Sequence, residues 1–382
     1  METKCIRLGD CILCNPKVKL TKGELYPVID IDKITVGRKY VSNKTFITFA
    51  GQSGCKFENG DTLMARITPC LENGKMAVAK IASKGLGSTE LFVFRSKDGV
   101  TDEEFVYYLL KQQYIRNLAA NSMTGASGRQ RADLKFIKRI KIQLPNLDVQ
   151  RCIASILSTY DTLIENNTKR IRLLEKMAEN LYKEWFVRFR FPGHENVEME
   201  NGLPKGWKVK KYEDEFNVKY GKGLPTDKLT KDGFPVFGSN GQIGYYTSYM
   251  YETPQILISC RGASSGVVNI SLPKSFITNN SLICEMTNET ESVFEYLKYC
   301  FLNTNLVQYQ TGSAQPQITI NNIVKLKLLI PSTDVQIKFA DKVRTLDKEV
   351  GNLQHQNSLL ARQRDLLLPR LMSGKLEVKV KE

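Results

Sequence analysis

The residues of this chain that could do chemistry with a partner are arginines, glutamines and short hydroxyls gathered in two polar loops. The first loop reads Thr124-Gly125-Ala126-Ser127-Gly128-Arg129-Gln130-Arg131, and the second reads Thr311-Gly312-Ser313-Ala314-Gln315-Pro316-Gln317. The fork of an Arg matches the paired acceptors of guanine, and the amide of a Gln matches the donor and acceptor of adenine. Ser127, Arg129 and Arg131 in the first loop, with Ser313, Gln315 and Gln317 in the second, are therefore the leading candidates for hydrogen-bonding contacts with a partner. For each of them the competing reading is a solvated loop that closes a helix end. Arg66, Lys222, Ser239, Asn240 and Arg261 form a second rank. An arginine among these could instead be a buried structural partner, and a lysine could meet only phosphate, which positions without specifying.

Catalytic chemistry finds little to work with. His194 and His355 are the two histidines, and neither has Cys or carboxylate at metal-ligand spacing. Cys11-Ile12-Leu13-Cys14 is a lone C-x-x-C without the second pair of a zinc site or the βαβ setting of a redox motif. No G-x-x-x-x-G-K-[ST] loop occurs, and Phe49-Ala50-Gly51-Gln52-Ser53-Gly54 lacks the strand-then-helix context of a cofactor loop. The expectation is a chain that is not an enzyme and carries no cofactor and no metal. Two rival classes stay open. One is a cryptic nuclease or methyltransferase; the other is a coiled-coil scaffold with non-specific DNA binding.

Charge supplies the first hint of a partner. The 382 residues carry 55 Lys and Arg against 40 Asp and Glu, a formal net charge of +15. A balance of that sign favours a polyanion, although lysines also serve simply to keep a protein dispersed. The nine cysteines show no framework spacing in a chain long enough to bury its own cores, which suits reduced thiols in a cytoplasm. The opening METKCIRLGD has no apolar signal core, and no run of eighteen apolar residues follows. A soluble cytoplasmic protein with no membrane partner is expected.

The loops must be carried by something, and the chain's dominant pattern is a pair of long seams. Leu157, Ile164, Ile171, Ala178 and Trp185 recur every seven residues, with Tyr160, Asn167, Leu174 and Leu181 on the neighbouring row. Phe339, Leu346, Leu353, Leu360 and Leu367 form a second seam, flanked by Val343, Val350, Asn357 and Arg364. Two rows at spacings of three and four make the narrow stripe of a coiled coil. Asn167 and Asn357 interrupt the seams, either to fix register as a buried Asn does or as exposed seam edges. The seams match at a constant offset of 186. Pro145 falls on Pro331, Asp148 on Asp334, Gln150 on Gln336, Asp161 on Asp347, Leu174 on Leu360 and Leu181 on Leu367. The chain is thus a tandem repeat of a head followed by a long helix.

Taken in order, residues 1–147 alternate short strands with glycine turns. Strands are predicted at Tyr26 to Ile31, Arg38 to Val41, Leu63 to Ile67 and Leu91 to Phe94. A helix is predicted from Asp102 to about Asn121, and a last strand carries Ile140, Ile142 and Leu144. Asn146 is placed to cap the first long helix, residues 148–190, which ends near Trp185-Phe186. A Pro- and Gly-bearing linker covers 187–206. The second head, 191–332, repeats the plan, with a glycine-rich Tyr220-Gly221-Lys222-Gly223, strands near Pro235 to Gly238 and Gln255 to Cys260, and a helix from about Ser292 to Asn305. Its last strand carries Leu326, Leu328 and Ile330. The second long helix opens the segment 333–382 and is expected to stop at Pro369, with Gly374 just beyond. Between the heads the offset drifts. Leu63 to Arg66 can be laid on Ile258 to Arg261, and Tyr26-Pro27 on Phe234-Pro235. The fold class is α+β: two mixed-sheet domains and two long helices in an internal repeat.

Several runs resemble one known family. Leu203-Pro204-Lys205-Gly206-Trp207-Lys208 resembles the entry to a second target recognition domain, and Phe234-Pro235-Val236-Phe237-Gly238-Ser239-Asn240-Gly241 a recurrent run within such domains. Leu144-Pro145 and Ile330-Pro331 resemble the starts of two conserved helical regions, and Leu367-Leu368-Pro369-Arg370-Leu371-Met372-Ser373-Gly374-Lys375-Leu376 a C-terminal signature. Together, in this order, they are similar to the specificity subunit of a Type I restriction–modification system. The first head departs by having Val28-Ile29-Asp30-Ile31 where the Gly-Ser-Asn-Gly run would fall. The resemblance implies two target recognition domains, each reading half of a split asymmetric site on double-stranded DNA. It implies long helices packed as an antiparallel coiled coil with a pseudo-two-fold axis, docking two modification (methyltransferase) subunits, with separate restriction or motor subunits. A helix of about 35 residues is roughly 50 Å long. Successive major-groove faces lie about 34 Å apart, so such a rod suits a spacer between half-sites.

Overall fold

The computed structural model describes residues 3–42, 45–126, 128–287, 292–312 and 315–378. They fall into two compact units, Met1–Arg170 with Asn352–Glu382, and Ile171–Gly351. Each unit therefore contains a head, one stretch of the first long helix and one stretch of the second.

In the first unit the chain opens and closes its head with one ribbon, Thr3–Arg7 antiparallel to Lys141–Pro145. Next to it lies a five-stranded sheet in the order Ile12–Cys14, Leu91–Ser96, Thr62–Ala65, Met76–Ala79 and Tyr40–Val41. A four-stranded sheet follows the order Phe46–Thr48, Leu25–Ile29, Lys84–Gly87 and Cys55–Glu58. The middle strands are apolar on both faces because both faces are covered. Phe92 and Phe94 pack among the helices, while Leu91 and Val93 pack with Ile29 and Phe57.

The second unit repeats this topology. Lys208–Lys211 pairs antiparallel with Lys327–Ile330 as the closing ribbon. A four-stranded sheet runs Phe216–Tyr220, Ser281–Met286, Ile256–Ser259 and Val268–Ile270. A three-stranded sheet runs Gly241–Tyr246, Phe234–Gly238 and Phe276–Ile277. Its parallel pair, Val236 with Phe276, corresponds to Val28 with Leu86 in the first head. Alternation is the same too: Leu282 and Cys284 face the helical core and Ile283 the opposite side.

Two expectations need correction. The helix predicted from Asp102 to Asn121 is two helices, Glu103–Lys111 and Gln113–Asn121, because Gln112 leaves helical geometry at φ −57° and ψ 132°. The second long helix, Thr333–Met372, does not stop at Pro369 but runs through it. An interior proline costs about 3 kcal/mol. Leu368, Leu371 and Met372 are buried in the core of the first unit, and each contributes roughly 1.5–3 kcal/mol, so burial wins. The helix closes only at Gly374, at φ +72°, where the Gly374 N–H donates to Leu371 at 3.2 Å. The linker expected at 187–206 carries local structure of its own. Met199–Glu200 pairs with Leu203–Pro204, and buried Phe191 stacks on Trp207 at 5.3 Å.

The 186-residue repeat shows its physical meaning where heads meet helices. The first long helix, Leu147–Tyr182, is capped as expected by Asn146, whose Oδ1 accepts from the Val149 N–H at 3.0 Å. One turn on, fully buried Gln150 accepts from the Asp102 N–H at 3.0 Å and donates to the carbonyls of Val100 and Pro145. Its repeat mate Gln336 accepts from the Val293 N–H at 2.9 Å and donates to Pro331 at 2.8 Å. Each glutamine latches the start of a head helix to the start of a long helix. The second matched pair works likewise. Tyr108 donates to Asp161 at 2.5 Å, and Tyr299 donates to Asp347 at 2.7 Å.

The counter-charges differ between units. Asp161 receives Arg364 of the second long helix in a buried ion pair. Burial alone pulls that guanidinium down, but Asp161 and Asp365 beside it hold it above its ordinary value. Asp347 instead takes Lys298 of its own head helix at 2.7 Å. The position matched to Arg364 (364 − 186 = 178) is buried Ala178.

Within the first unit the two long helices run antiparallel. Asp161 meets Arg364 and Asn167 meets Gln356, so contacts descend one helix as they climb the other. In the second unit, Tyr182, Trp185 and Phe186 all pack against Phe339. Asn167 is buried and donates to Gln356 at 3.4 Å. The Asn357 carbonyl oxygen is enclosed without a hydrogen-bond partner among the described residues.

Candidate nucleic-acid interface

Both polar loops fold as closed hairpins. In the first head Thr124 and Arg131 exchange backbone hydrogen bonds at 3.1 and 3.0 Å, and in the second Thr311 and Gln317 do so at 2.8 and 2.9 Å. Gly128 at φ +78° and Gly312 at φ +86° supply left-handed turns that a side chain resists. Each hairpin is stitched to the end of the central strand of its sheet. Arg131 bridges to Ile67 and Gln317 bridges to Arg261. The next residues repeat the pattern, with Ala132 N–H donating to Arg66 at 2.8 Å and Ile318 N–H donating to Cys260 at 3.0 Å.

That register corrects one equivalence. Arg66 corresponds to Cys260, and Ile67 to Arg261, so the strand offset is 194 and not the 195 that laid Arg66 on Arg261 (260 − 66 = 194). A slip of one residue turns a side chain to the other face. Accordingly Arg66 is half-buried, with its guanidinium 5.0 Å from the Phe92 ring centre and its Nε enclosed without a hydrogen-bond partner among the described residues. Arg261 is exposed.

The first head gathers a small cluster around its hairpin. Arg131 donates from Nε and Nη2 to Glu90, at 2.9 and 2.6 Å for the shorter contacts, and its side chain stays 44% exposed. Hydrogen bonding by Arg131, with Arg66 near, holds the Glu90 carboxyl below its usual range. Gln130 closes the cluster: its N–H donates to the Thr68 hydroxyl at 3.1 Å and its carbonyl accepts from the Thr68 N–H at 3.0 Å. Arg129 is exposed at the tip, and its side chain has no partner among the described residues. Ser127 lies outside the described residues.

The second head brings more segments together. Asn240, in the turn between Phe234–Gly238 and Gly241–Tyr246, accepts from the Ser264 hydroxyl. The Ser239 carbonyl accepts from the Ser259 hydroxyl and from Asn269 at 3.3 Å. The same Gly262–Ser264 turn is tied to the hairpin by the Gly262 N–H donating to Pro316 at 3.2 Å. Asn240, Arg261, Gln315 and Gln317 thus converge on one edge. Lys222 is exposed and joined to the strand Phe276–Ile277 through its N–H to Ile277 at 3.0 Å. The glycine before it is dictated by close approach, since a Cβ on Gly221 would stand 2.3 Å from the Thr278 carbonyl oxygen. Ser313 lies outside the described residues. In the first head Val28-Ile29 ends its strand and Ile31–Lys33 makes a short helical turn, so no counterpart of the Ser239-Asn240 turn forms there.

Sequence reasoning missed Glu90, Ser264 and Asn269. Glu90 lies 41 residues from Arg131, and no local spacing signals the pair. The cysteine pair behaves as packing. Burial pushes the Cys11 thiol up to about 12 and Cys14 up to about 11, so neither is a thiolate at neutral pH. Among the described residues no cluster of His, Cys, Asp and Glu could hold a metal ion, and no helix is long and apolar enough to cross a membrane. The first head thus offers exposed arginines beside its hairpin, and the second an exposed arginine, a lysine and amides, groups that suit phosphate and base-edge contacts.

Comparison with known proteins gives a consistent result. The family model for the Type I restriction modification DNA specificity domain matches residues 3–176 and again 204–361. The chain is 29% identical to the Type I restriction enzyme MjaIX specificity subunit of Methanocaldococcus jannaschii, across 74% of this chain and 71% of that one. It is 22% identical to the MjaVIII specificity subunit of the same organism, across 99% and 94%. The fold is shared with the crystal structure of a Type I restriction–modification S subunit from M. genitalium, at TM-score 0.51 and 19% identity, covering 97% and 96% of the two chains.

Proposed function

Since the chain belongs to the Type I restriction modification DNA specificity family, we propose that it is the non-catalytic reader of a bipartite, asymmetric DNA site. Each head, bounded at about 1–147 and 191–332, reads one half-site through its hairpin loop and the polar groups beside it. The long helices dock two adenine-methyltransferase subunits, and restriction subunits join that assembly. The observation that carries this reading is the repeated hairpin, stitched to the same strand end in both heads, with Arg131 in one and Gln317 in the other.

The test is selection from random-sequence duplexes by the full chain in its host complex. The expected result is one bipartite sequence, with affinity falling linearly in log salt as phosphate contacts release counterions. Replacing residues 191–332 by another head should change one half-site and leave the other. Binding without sequence preference would favour the scaffold reading. Cleavage or methylation by the purified chain alone would favour an enzyme.

Docking has a candidate surface. Leu173 and Met177 on the first long helix are 65% and 56% exposed, and neither is a seam residue. Leu173→Asp with Met177→Asp should weaken assembly with methyltransferase subunits at least tenfold, a modest loss for central interface residues. Sedimentation of the mixed subunits checks this, and unchanged assembly would remove that face from the interface.

A further inference from the structure

Resting on the reading of the hairpins as base-reading segments, we propose that Arg131 and Gln317 are the same reading position in the two heads, that Arg131 buttressed by Glu90 selects a guanine, and that Gln317 selects an adenine. The two residues are 186 apart (317 − 131 = 186), the offset shared by the long helices and by the last strand of each head, whereas the earlier strands drift. Both close their hairpins against a threonine, both bridge to the central strand end, and both are exposed.

The direction of each choice follows from donor geometry. Glu90 occupies Nε and one hydrogen of Nη2, which is one edge of the guanidinium fork. The outer edge, with Nη1 and the second hydrogen of Nη2, has no partner among the described residues. It presents two parallel donors and no acceptor. In the major groove guanine alone offers two adjacent acceptors on one base, O6 and N7. Adenine sets a donor beside its acceptor, cytosine a donor and thymine a methyl group. A carboxylate that fixes the plane of the fork also removes rotamer freedom that binding would otherwise have to remove. Glu90 is therefore a positioning residue that acts through Arg131. Gln317 has no carboxylate beside it among the hydrogen bonds of the described residues, and its amide offers one donor and one acceptor, the complement of adenine N7 and N6.

The experiment sequences the fraction of a random duplex pool bound by the full chain in its host complex, at fixed salt, for the parent and four variants. Arg131→Gln should move one guanine of one half-site to adenine. Arg131→Lys and Glu90→Gln should keep guanine first but lower its preference about tenfold, within the range of one bidentate contact. Gln317→Arg should move one adenine of the other half-site to guanine. An Arg131→Gln pool with every position unchanged overturns the proposal. So does uniform weakening across all sequences by a variant that melts at the parent temperature, which marks a phosphate contact. A Glu90→Gln pool identical to the parent overturns the buttress. Should Arg131→Gln disturb folding, both half-sites would fade together; Gln317→Arg then carries the test, and an unmoved adenine overturns it. A parent pool without any preference would instead defeat the underlying reading of the loops.

Discussion

Arg364→Met is expected to destabilise the first unit by about 3–5 kcal/mol, because it leaves the Asp161 carboxylate buried with only a tyrosine hydroxyl. Arg364 is 1% and Asp161 2% exposed, so solvent cannot take over the missing charge. The loss belongs to the orphaned carboxylate and not to the pair as such. Adding Asp161→Asn to Arg364→Met should therefore recover a large share of it, since a neutral amide still accepts from Tyr108. Both tryptophans, Trp185 and Trp207, lie in the second unit. Hydrogen exchange in the helix Glu103–Lys111 is thus the direct readout. Exchange there at the parent rate in Arg364→Met would show that the ion pair does not hold the head to the helices.

Phe339→Ala is the matching experiment for the second unit. Phe339 is fully buried, and its ring lies 5.0 Å from Phe186, 5.7 Å from Tyr299 and 5.9 Å from Trp185 between centroids. Removing a buried phenyl ring costs about 3–5 kcal/mol, from lost transfer energy and from the cavity. Here tryptophan fluorescence reports directly. Trp185 loses part of its cover, so the emission should shift to the red and the urea midpoint should fall. Phe339→Leu keeps most of the volume and should restore most of the midpoint. An unmoved midpoint in Phe339→Ala would mean that the cluster contributes little to cohesion.

The long helices were legible because their signal is periodic and doubled. Gln150 with Gln336, and Asp161 with Asp347, could be matched by number alone, and the structure gives each pair one job in both units. Arg364 could be placed on the seam, but its burial could not be read. A charge is welcome there only because Asp161 faces it, 203 residues away. Pro369 misled for the opposite reason. A local rule against proline was outweighed by apolar burial that no local window contains. In the heads the hairpins could be located, yet the strand beside them was laid one residue out of register. Glycine-rich heads of unequal length let the offset drift, and period-two strands punish a single slip by reversing the face. Glu90 carried no signal at all, because its meaning lies in a partner on a distant segment.

The unequal provision for Asp161 and Asp347 bears on how this tandem could be taken apart. Consider two copies of either half zipped to themselves. Two first halves would set Ala178 opposite each Asp161, stranding two carboxylates in apolar surroundings. Two second halves would keep Lys298 on each Asp347 and bring in Arg364 as a surplus cation. The tandem is thus lopsided: one half borrows a charge, the other lends it. Gene splitting or recombination between such halves would be tolerated in one direction more readily than in the other.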